Sequence, residues 1–358
     1  MSGTSEDGID AVLADLSGST IRVRSSSFVP FSAQLRDRLQ GLRKDKPGTL
    51  VTSKSLEVQL AHLYAKSVSM ALAKVNVSAK QVSAIGCHGQ TIFHRPDLGW
   101  SMQLNNPSLL AELTGITVVS DFRARDIAAG GSGAPLVPAF HDAAFQHPSF
   151  HRAIVNVGGI ANLTDLKPGK SATGFDIGPG NTLMDAWIKK HKKKTFDKGG
   201  RWARSGVVIP QLLTRLLADP YFKKTPPKST GLEYFNLRWL ARSLKPNYRT
   251  CDVQATLLSL TATTIARAIQ KYSAGVDEVY LCGGGALNTE LYSRLAELLH
   301  STGSARLALT DELGVSVKHV EALAFAWLAK QTLAQKPGNL SRVTGARGKR
   351  ILGGIYLK

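Results

Sequence analysis

Cysteine is scarce in this chain. The three residues, Cys87, Cys251 and Cys282, lie far apart with no CxxC pair, which excludes a disulfide framework and fits reduced thiols. No apolar run approaches the roughly 18 residues that a membrane helix needs, and the polar start lacks the basic and apolar regions of a signal peptide. The chain is therefore expected in the cytoplasm, with no membrane partner. Neither a G-x-x-x-x-G-K-S/T phosphate loop nor a G-x-G-x-x-G fingerprint is present, which argues against P-loop and Rossmann enzymes. No G-x-S-x-G elbow exists and no cysteine has an evident base, which argues against nucleophilic acyl transfer. His94, His141 and His151 have no metal-ligand spacing and read as ordinary histidines, and no residue is assigned as a metal ligand.

Acidic residues are also few. There are 26 Asp and Glu against 45 Lys and Arg, a formal charge of +19. Such an excess raises the question of nucleic acid. The densest basic cluster, Lys189 to Lys194, follows a predicted helix and reads as a solvated helix end that suits the helix dipole. No zinc spacing or interleaved aromatics accompany it, so nucleic acid is not the favoured partner, and the field suits an anionic nucleotide and sugar.

What remains is a chain of 358 residues with 43% apolar and 20% charged residues, enough for two ordinary globular domains. Strands, glycine-rich turns and amphipathic helices alternate, which predicts an α/β class. Ile9 to Leu16 and Thr20 to Phe31 read as strands joined near Gly18. Leu56, Leu60, Leu63, Tyr64, Val68 and Leu72 recur at helical spacing. A short strand Val82 to Ile85 runs into a Gly-Cys-His-Gly-Gln-Thr loop (residues 86–91), and Ile116 to Val119 is another. The second half repeats the plan: a hairpin Ala153 to Val157 and Ile160 to Leu166, a helix from Val253 to about Tyr272, and a strand Val276 to Leu281. A helix through Leu299 and a final one from Val317 to about Gln335 follow. This repetition predicts two duplicated lobes around a cleft, drawn as residues 1–135 and 136–358.

Three small-residue loops stand at predicted strand ends, where open α/β sheets place ligands. In the first, Gly3 and Gly8 permit close backbone approach, Thr4 and Ser5 add hydroxyls, and Glu6 and Ile9 complete a run whose amides form an anion-binding nest. Asp7 and Asp10 would repel phosphate and suit Mg²⁺ or its waters. A plain hairpin turn accounts for the same Asp-Gly pair. In the second, Gly178, Gly180 and Asn181 lead into a helix N-terminus, a favourable anion site. Asp176 before it reads either as a general base or as a turn-capping carboxylate. In the third, Gly283, Gly284 and Gly285 leave a flat surface for a planar base, and Asn288 caps the next helix. His88 and Gln90 follow one strand, and Asp121, Arg123, Arg125 and Asp126 follow another. An Arg here pairs either with a substrate carboxylate or with a neighbouring Asp.

The blocks MSGTSEDGID (1–10), GCHGQTIFHRP (86–96), DFRARDIAAGGSGAPLVPAFH (121–141), NVGGIANLT (156–164), GFDIGPGNTLMDAW (174–187), PPKSTGLEYFN (226–236), DVQATL (252–257), LCGGGALN (281–288) and EALAFAWLA (321–329) resemble the anhydro-N-acetylmuramic acid kinases in order along nearly the whole chain. The resemblance implies the actin/sugar kinase/Hsp70-like fold, with two ribonuclease H-like lobes. It implies an enzyme that uses ATP and Mg²⁺ to phosphorylate O6 of 1,6-anhydro-N-acetylmuramic acid while water opens the anhydro bridge, in peptidoglycan recycling, and that assembles as a homodimer. By resemblance, Gly3 to Asp10 hold the phosphates and Asp176 activates the water. Glu321 and Arg123 orient the sugar, with His88 and Asn156 as supporting contacts.

The sequence also departs from that family. Asn106 stands where a carboxylate is usual, Asp197-Lys-Gly-Gly200 replaces Asp-Lys-Asp-Gly, Leu232 replaces an Arg, and Val317-Lys-His319 replaces Gly-Asp-Asp. The family carries a strand ahead of the Met-Ser-Gly-Thr-Ser motif, which opens this chain at Met1, so the first strand of the N-terminal lobe is expected to be missing here. These departures motivate an alternative: a sugar- or nucleotide-binding homologue with weakened catalysis.

Overall fold

A computed structural model describes residues 1–3, 7–18, 20–42, 49–301, 303 and 305–358. The chain forms two compact units, Met1–Phe140 with His319–Lys358, and His141–Lys318. A single boundary near residue 135 is therefore replaced by a chain that leaves the first unit and returns to it.

In the first unit, β1 (Gly8–Asp15) pairs antiparallel with β2 (Arg22–Pro30), with a register shift between Leu13 and Ala14. The 25-residue helix Thr49–Ala73 covers this ribbon, burying Leu56, Leu60 and Tyr64 on one stripe, the spacing that predicted it. The β3 strand (Ile85–Cys87) begins three residues later than the predicted Val82, because pairing starts where the Ile85 amide donates to Thr117. An unpredicted hairpin follows, β4 (Gln90–Arg95) against β5 (Trp100–Leu104). Next, β6 (Val118–Ser120) runs parallel to β3.

The second unit holds one five-stranded mixed sheet. Its strands are β7 (Arg152–Val157), β8 (Ile160–Leu166), β9 (Thr173–Pro179), β10 (Glu278–Cys282) and β11 (Arg306–Leu309). The order is β11-β10-β7-β8-β9, with β8 antiparallel to both neighbours and β10 parallel to β7 and β11. That is the ribonuclease H-like arrangement. The β7 strand is buried along most of its length, so it reads as a continuous apolar run and not as an alternation. The 23-residue helix Thr250–Tyr272 packs on β8 and β9. Every residue from Val253 to Ala262 is buried, as expected of a helix enclosed on all sides.

The chain then returns to the first unit. The helix Val320–Leu333 lies directly on β3, where a Cβ on Gly86 would stand 2.1 Å from the Phe325 carbonyl oxygen. The last strand, β12 (Gly354–Tyr356), pairs antiparallel with β6. These two contacts tie residues 319–358 to the first unit. Periodicity within the segment carries no sign of its partner, so the sequence placed it with its chain neighbours.

Candidate active site

Asp176 is a buried, hydrogen-bonded acid of the second unit. It lies within β9, not at a strand end, because β9 continues to Pro179. Asn162 pairs with Asp176 while Ala161 pairs with Gly178, so Ile177 is an extra residue in a bulge. Bulges re-aim side chains and gather beside functional sites. The Asp176 side chain is 9% exposed, and its Oδ2 accepts the Thr230 amide at 3.1 Å. Its own amide donates to the Lys228 carbonyl at 3.2 Å, and its carbonyl accepts the Tyr221 hydroxyl at 2.6 Å. A carboxylate held in this way is built in place, a stronger arrangement than a turn cap.

Lys228 completes the frame. Its Nζ lies 4.7 Å from the Tyr221 ring centroid and 5.4 Å from that of Phe175, and it donates to the Tyr221 carbonyl at 3.4 Å. Burial lowers its pKa, and the Asp176 charge opposes that shift. Burial and then the Asp176 charge raise the Tyr221 hydroxyl. Sequence reasoning missed Tyr221, Lys228 and Thr230 as site residues. Lys228 and Thr230 stand in the quoted 226–236 block and Tyr221 just before it, but only the fold places these residues against β9.

The sheet register lines up Cys282, Asn156, Asn162 and Asp176 across β10, β7, β8 and β9. Laterally paired residues share a sheet face, so one row of these side chains crosses the sheet near the carboxyl ends of β7 and β10. Asn162, not singled out by sequence, has a buried Oδ1 with no hydrogen-bond partner. An acceptor left without a donor in a well-packed sheet is rare and calls for a ligand or water.

Glycine loops close around the carboxyl end of β7. The Gly180 and Asn181 amides donate to the Gly159 and Gly158 carbonyls, and Asn181 Nδ2 donates to the Val157 carbonyl. A Cβ on Gly180 would stand 2.3 Å from the Gly158 oxygen, and one on Gly178 would stand 2.7 Å from the Phe222 ring. Gly283 has φ +82° and lies against Asn156 and Val157, while Gly285 packs on Val157 and Asn181. Gly284 faces open space. Asn288 caps the helix Thr289–His300 through the Leu291 amide at 3.2 Å. The fold thus brings Asn156, Gly178, Gly180, Asn181, Gly283 and Gly285 together. A cavity of about 350 Å³ is lined by Lys198, Gly199, Arg201, Arg204, Leu287 and Thr289, so the Asp197-Lys-Gly-Gly200 departure borders it.

In the first unit, Thr4, Ser5 and Glu6 lie outside the described residues. The Gly3 carbonyl accepts from Gln90 Nε2 at 3.1 Å. Met1 and Asp10 exchange two backbone bonds, of 2.7 and 2.9 Å, which anchor both ends of the loop. Gly8 packs under Phe28 and Val29 with no room for a Cβ, and Ile9 is core. Asp7 is exposed and Asp10 partly so.

Arg123 donates to His88 Nε2 through Nε at 3.1 Å and to the Gly133 carbonyl through Nη1 at 2.6 Å. His88 Nδ1 donates to the Gly89 carbonyl at 2.8 Å, so the ring is the neutral tautomer with an accepting Nε2. Burial first, and the Arg123 charge second, hold the His88 pKa well below the usual range. Glu321 stands in the first turn of the Val320–Leu333 helix. Asp126 is fully buried and accepts from Gly133, Asn339 and Thr344, a structural hub. Asn106, one of the departures, caps the helix Pro107–Thr114. The lysine run ends the helix Thr182–Lys192 as expected, but the fold sets Lys190 over Trp187 and Lys192 over Trp202. Trp187 lies in the same helix one turn before Lys190, and Trp202 comes from the short helix Arg201–Arg204.

No cluster of three or more metal-ligating side chains occurs among the described residues. No described helix is long and apolar enough to cross a membrane.

A ribonuclease H-like sheet with glycine loops and a framed carboxylate defines the class as an α/β protein with a ribonuclease H-like unit. All of residues 1–358 match the family described as Anhydro-N-acetylmuramic acid kinase. The chain is 51% identical to the anhydro-N-acetylmuramic acid kinase of Nitrosomonas europaea, over 99% of this chain and 98% of that protein. It is 51% identical to that of Nitrosospira multiformis, covering 97% of that protein, and 48% identical to that of Pseudomonas fluorescens, covering 98%. The chain belongs to the anhydro-N-acetylmuramic acid kinase family.

Proposed function

We propose that this chain is an ATP-dependent kinase that opens the 1,6-anhydro ring of anhydro-N-acetylmuramic acid and phosphorylates O6, giving N-acetylmuramic acid 6-phosphate and ADP in cell-wall recycling. The observation that carries the reading is the framed Asp176 carboxylate, aimed by a bulge and fixed by Thr230, Lys228 and Tyr221. Asp176 takes a proton from a water molecule as its oxygen bonds to C1 of the sugar. The C1–O6 bond breaks, and O6 attacks the γ-phosphorus as the bond to the ADP leaving oxygen breaks. One general-base step thus feeds one phosphoryl transfer, and positioning supplies much of the acceleration.

Roles are assigned residue by residue. Gly3 to Asp10, with Gly178, Gly180 and Asn181, receive the phosphates, and Gly283, Gly284, Gly285 and Asn288 form the adenosine loop. Arg123, fixed by His88 and Gly133, anchors the substrate carboxylate. Glu321 and Asn156 hold sugar hydroxyl or amide groups. Asp7 and Asp10 offer oxygen donors only, and Mg²⁺ is commonly held by one or two carboxylates plus phosphate oxygens, so these residues fit the ion. When bound, Mg²⁺ neutralises charge on the β- and γ-phosphate oxygens. A cytoplasmic location and a homodimer belong to the same reading, with nucleic acid given no part in it. The test is release of ADP from ATP by the full chain. Release that requires the anhydro sugar supports the kinase, whereas sugar binding by calorimetry without turnover supports a weakened homologue.

A further inference from the structure

The first unit carries a second basic feature that the kinase reading does not use. The short helix Ala124–Ala128 begins just after Arg123. At about 100° per residue, Arg125 points roughly 200° round the axis from Arg123. Arg123 therefore serves His88 and Gly133, while Arg125 looks the other way. There it lines a cavity of about 220 Å³ with Ala128, Ala129, Arg347 and Arg350. Three guanidinium groups from segments more than two hundred residues apart in sequence meet on one cavity. Among the described residues none of the three makes an ion pair; the arginines that do are Arg95, Arg152, Arg204, Arg249, Arg294 and Arg306. The Arg347 and Arg350 guanidinium groups donate to carbonyl oxygens, those of Ala128 and Lys349.

The walls are fixed. The Arg347 amide donates to the Ala129 carbonyl at 2.9 Å, and the Arg350 amide to Asn339 Oδ1 at 2.7 Å. Asn339 and Thr344 in turn bond the buried Asp126 carboxylate at 2.7 and 2.8 Å, which ties the C-terminal turn to the helix bearing Arg125. Arg125 and Arg347 are exposed and Arg350 is half-buried, so the backbone holds three like charges at one solvent-facing cavity with no direct carboxylate partner among the described residues. An anion with several oxygens offsets that charge, and guanidinium forks match phosphate oxygens in paired hydrogen bonds.

We propose that Arg125, Arg347 and Arg350 form an anion site for a phosphate monoester or diphosphate of a small molecule, separate from the nucleotide and sugar groups assigned above. The probes are inorganic diphosphate, a hexose 6-phosphate and inorganic phosphate, titrated calorimetrically into the full chain in the presence of a saturating non-hydrolysable ATP analogue. Saturable binding that persists with the analogue is expected, weakened by about tenfold or more in Arg125→Gln and in Arg350→Gln. Lys349→Gln removes an equal charge beside the cavity without lining it and is expected to leave binding within about twofold. Kinase turnover shows that each variant is folded, so lost binding with retained turnover supports the site. Preference for the hexose 6-phosphate over diphosphate identifies a phosphosugar ligand, and the reverse a nucleotide-type one. Displacement of all three probes by the analogue, equal losses in Lys349→Gln, or binding only to RNA or anionic vesicles would overturn the proposal.

Discussion

The Thr230 amide donates to Oδ2 of Asp176 at 3.1 Å, while two residues earlier the Lys228 carbonyl accepts the Asp176 amide. One short segment thus grips both the backbone and the carboxylate of the proposed base. Removing the base while leaving its frame is the simplest perturbation. Asp176→Asn is expected to lower kcat by about 10²- to 10⁴-fold, with ATP binding retained in a calorimetric titration.

Tyr221 holds the Asp176 carbonyl, and the Lys228 cation interacts with the Asp176 charge. Tyr221→Phe deletes the bond to the Asp176 carbonyl and is expected to destabilise the fold by about 1 kcal/mol, with kcat falling more than KM rises. Lys228→Met removes a cation that favours the ionised carboxylate, so the acid limb of the kcat–pH profile should move to higher pH. An unmoved acid limb would leave Lys228 a purely structural residue. Kinetics from pH 5 to 9 on both variants make the comparison.

The triple glycine separates packing from ligand approach. Gly283→Ala places a Cβ 2.3 Å from Asn156 Oδ1 at φ +82°, a strain of about 2 kcal/mol, visible as a lower urea midpoint. Gly284→Ala meets no atom within 4 Å. It should leave the midpoint unchanged and raise KM for ATP if the nucleotide base lies on that surface.

Histidines set an acid limit on stability. Burial pushes His141 down to about 3, and His88 is also held well below 6.5. The unfolded chain takes up protons on both below about pH 6.5 while the folded chain does not, so stability is full above that pH and falls as pH drops towards the folded values. His141 alone accounts for about 2 to 3 kcal/mol between pH 6.5 and 4.5. Urea midpoints across that range should fall in the wild type and fall less in His141→Gln.

Much of the architecture was legible because periodicity is local. The β7–β8 hairpin, the helix Thr250–Tyr272 and the Asn288 cap all carry their cause in adjacent residues. The bulge at Ile177 was not legible, since it depends on how β8 meets β9. Nor was the return of β12 to β6, a pairing of three residues across more than two hundred. The β4–β5 hairpin was not legible either, since residues 86–91 were read as a loop although β4 already begins at Gln90. At the site, the residue types were visible one by one. The Tyr221–Lys228–Thr230 frame and the orphaned Asn162 oxygen arise only when separate strands lie side by side.

Turnover in ¹⁸O-labelled water tests the central claim most directly, because the proposed chemistry sends water and phosphorus to different atoms. With ATP, Mg²⁺ and the anhydro sugar, the account predicts a sugar 6-phosphate carrying the label on the C1 hydroxyl and none in the phosphate. Label in released inorganic phosphate, or a phosphorylated sugar with unlabelled C1, would contradict it.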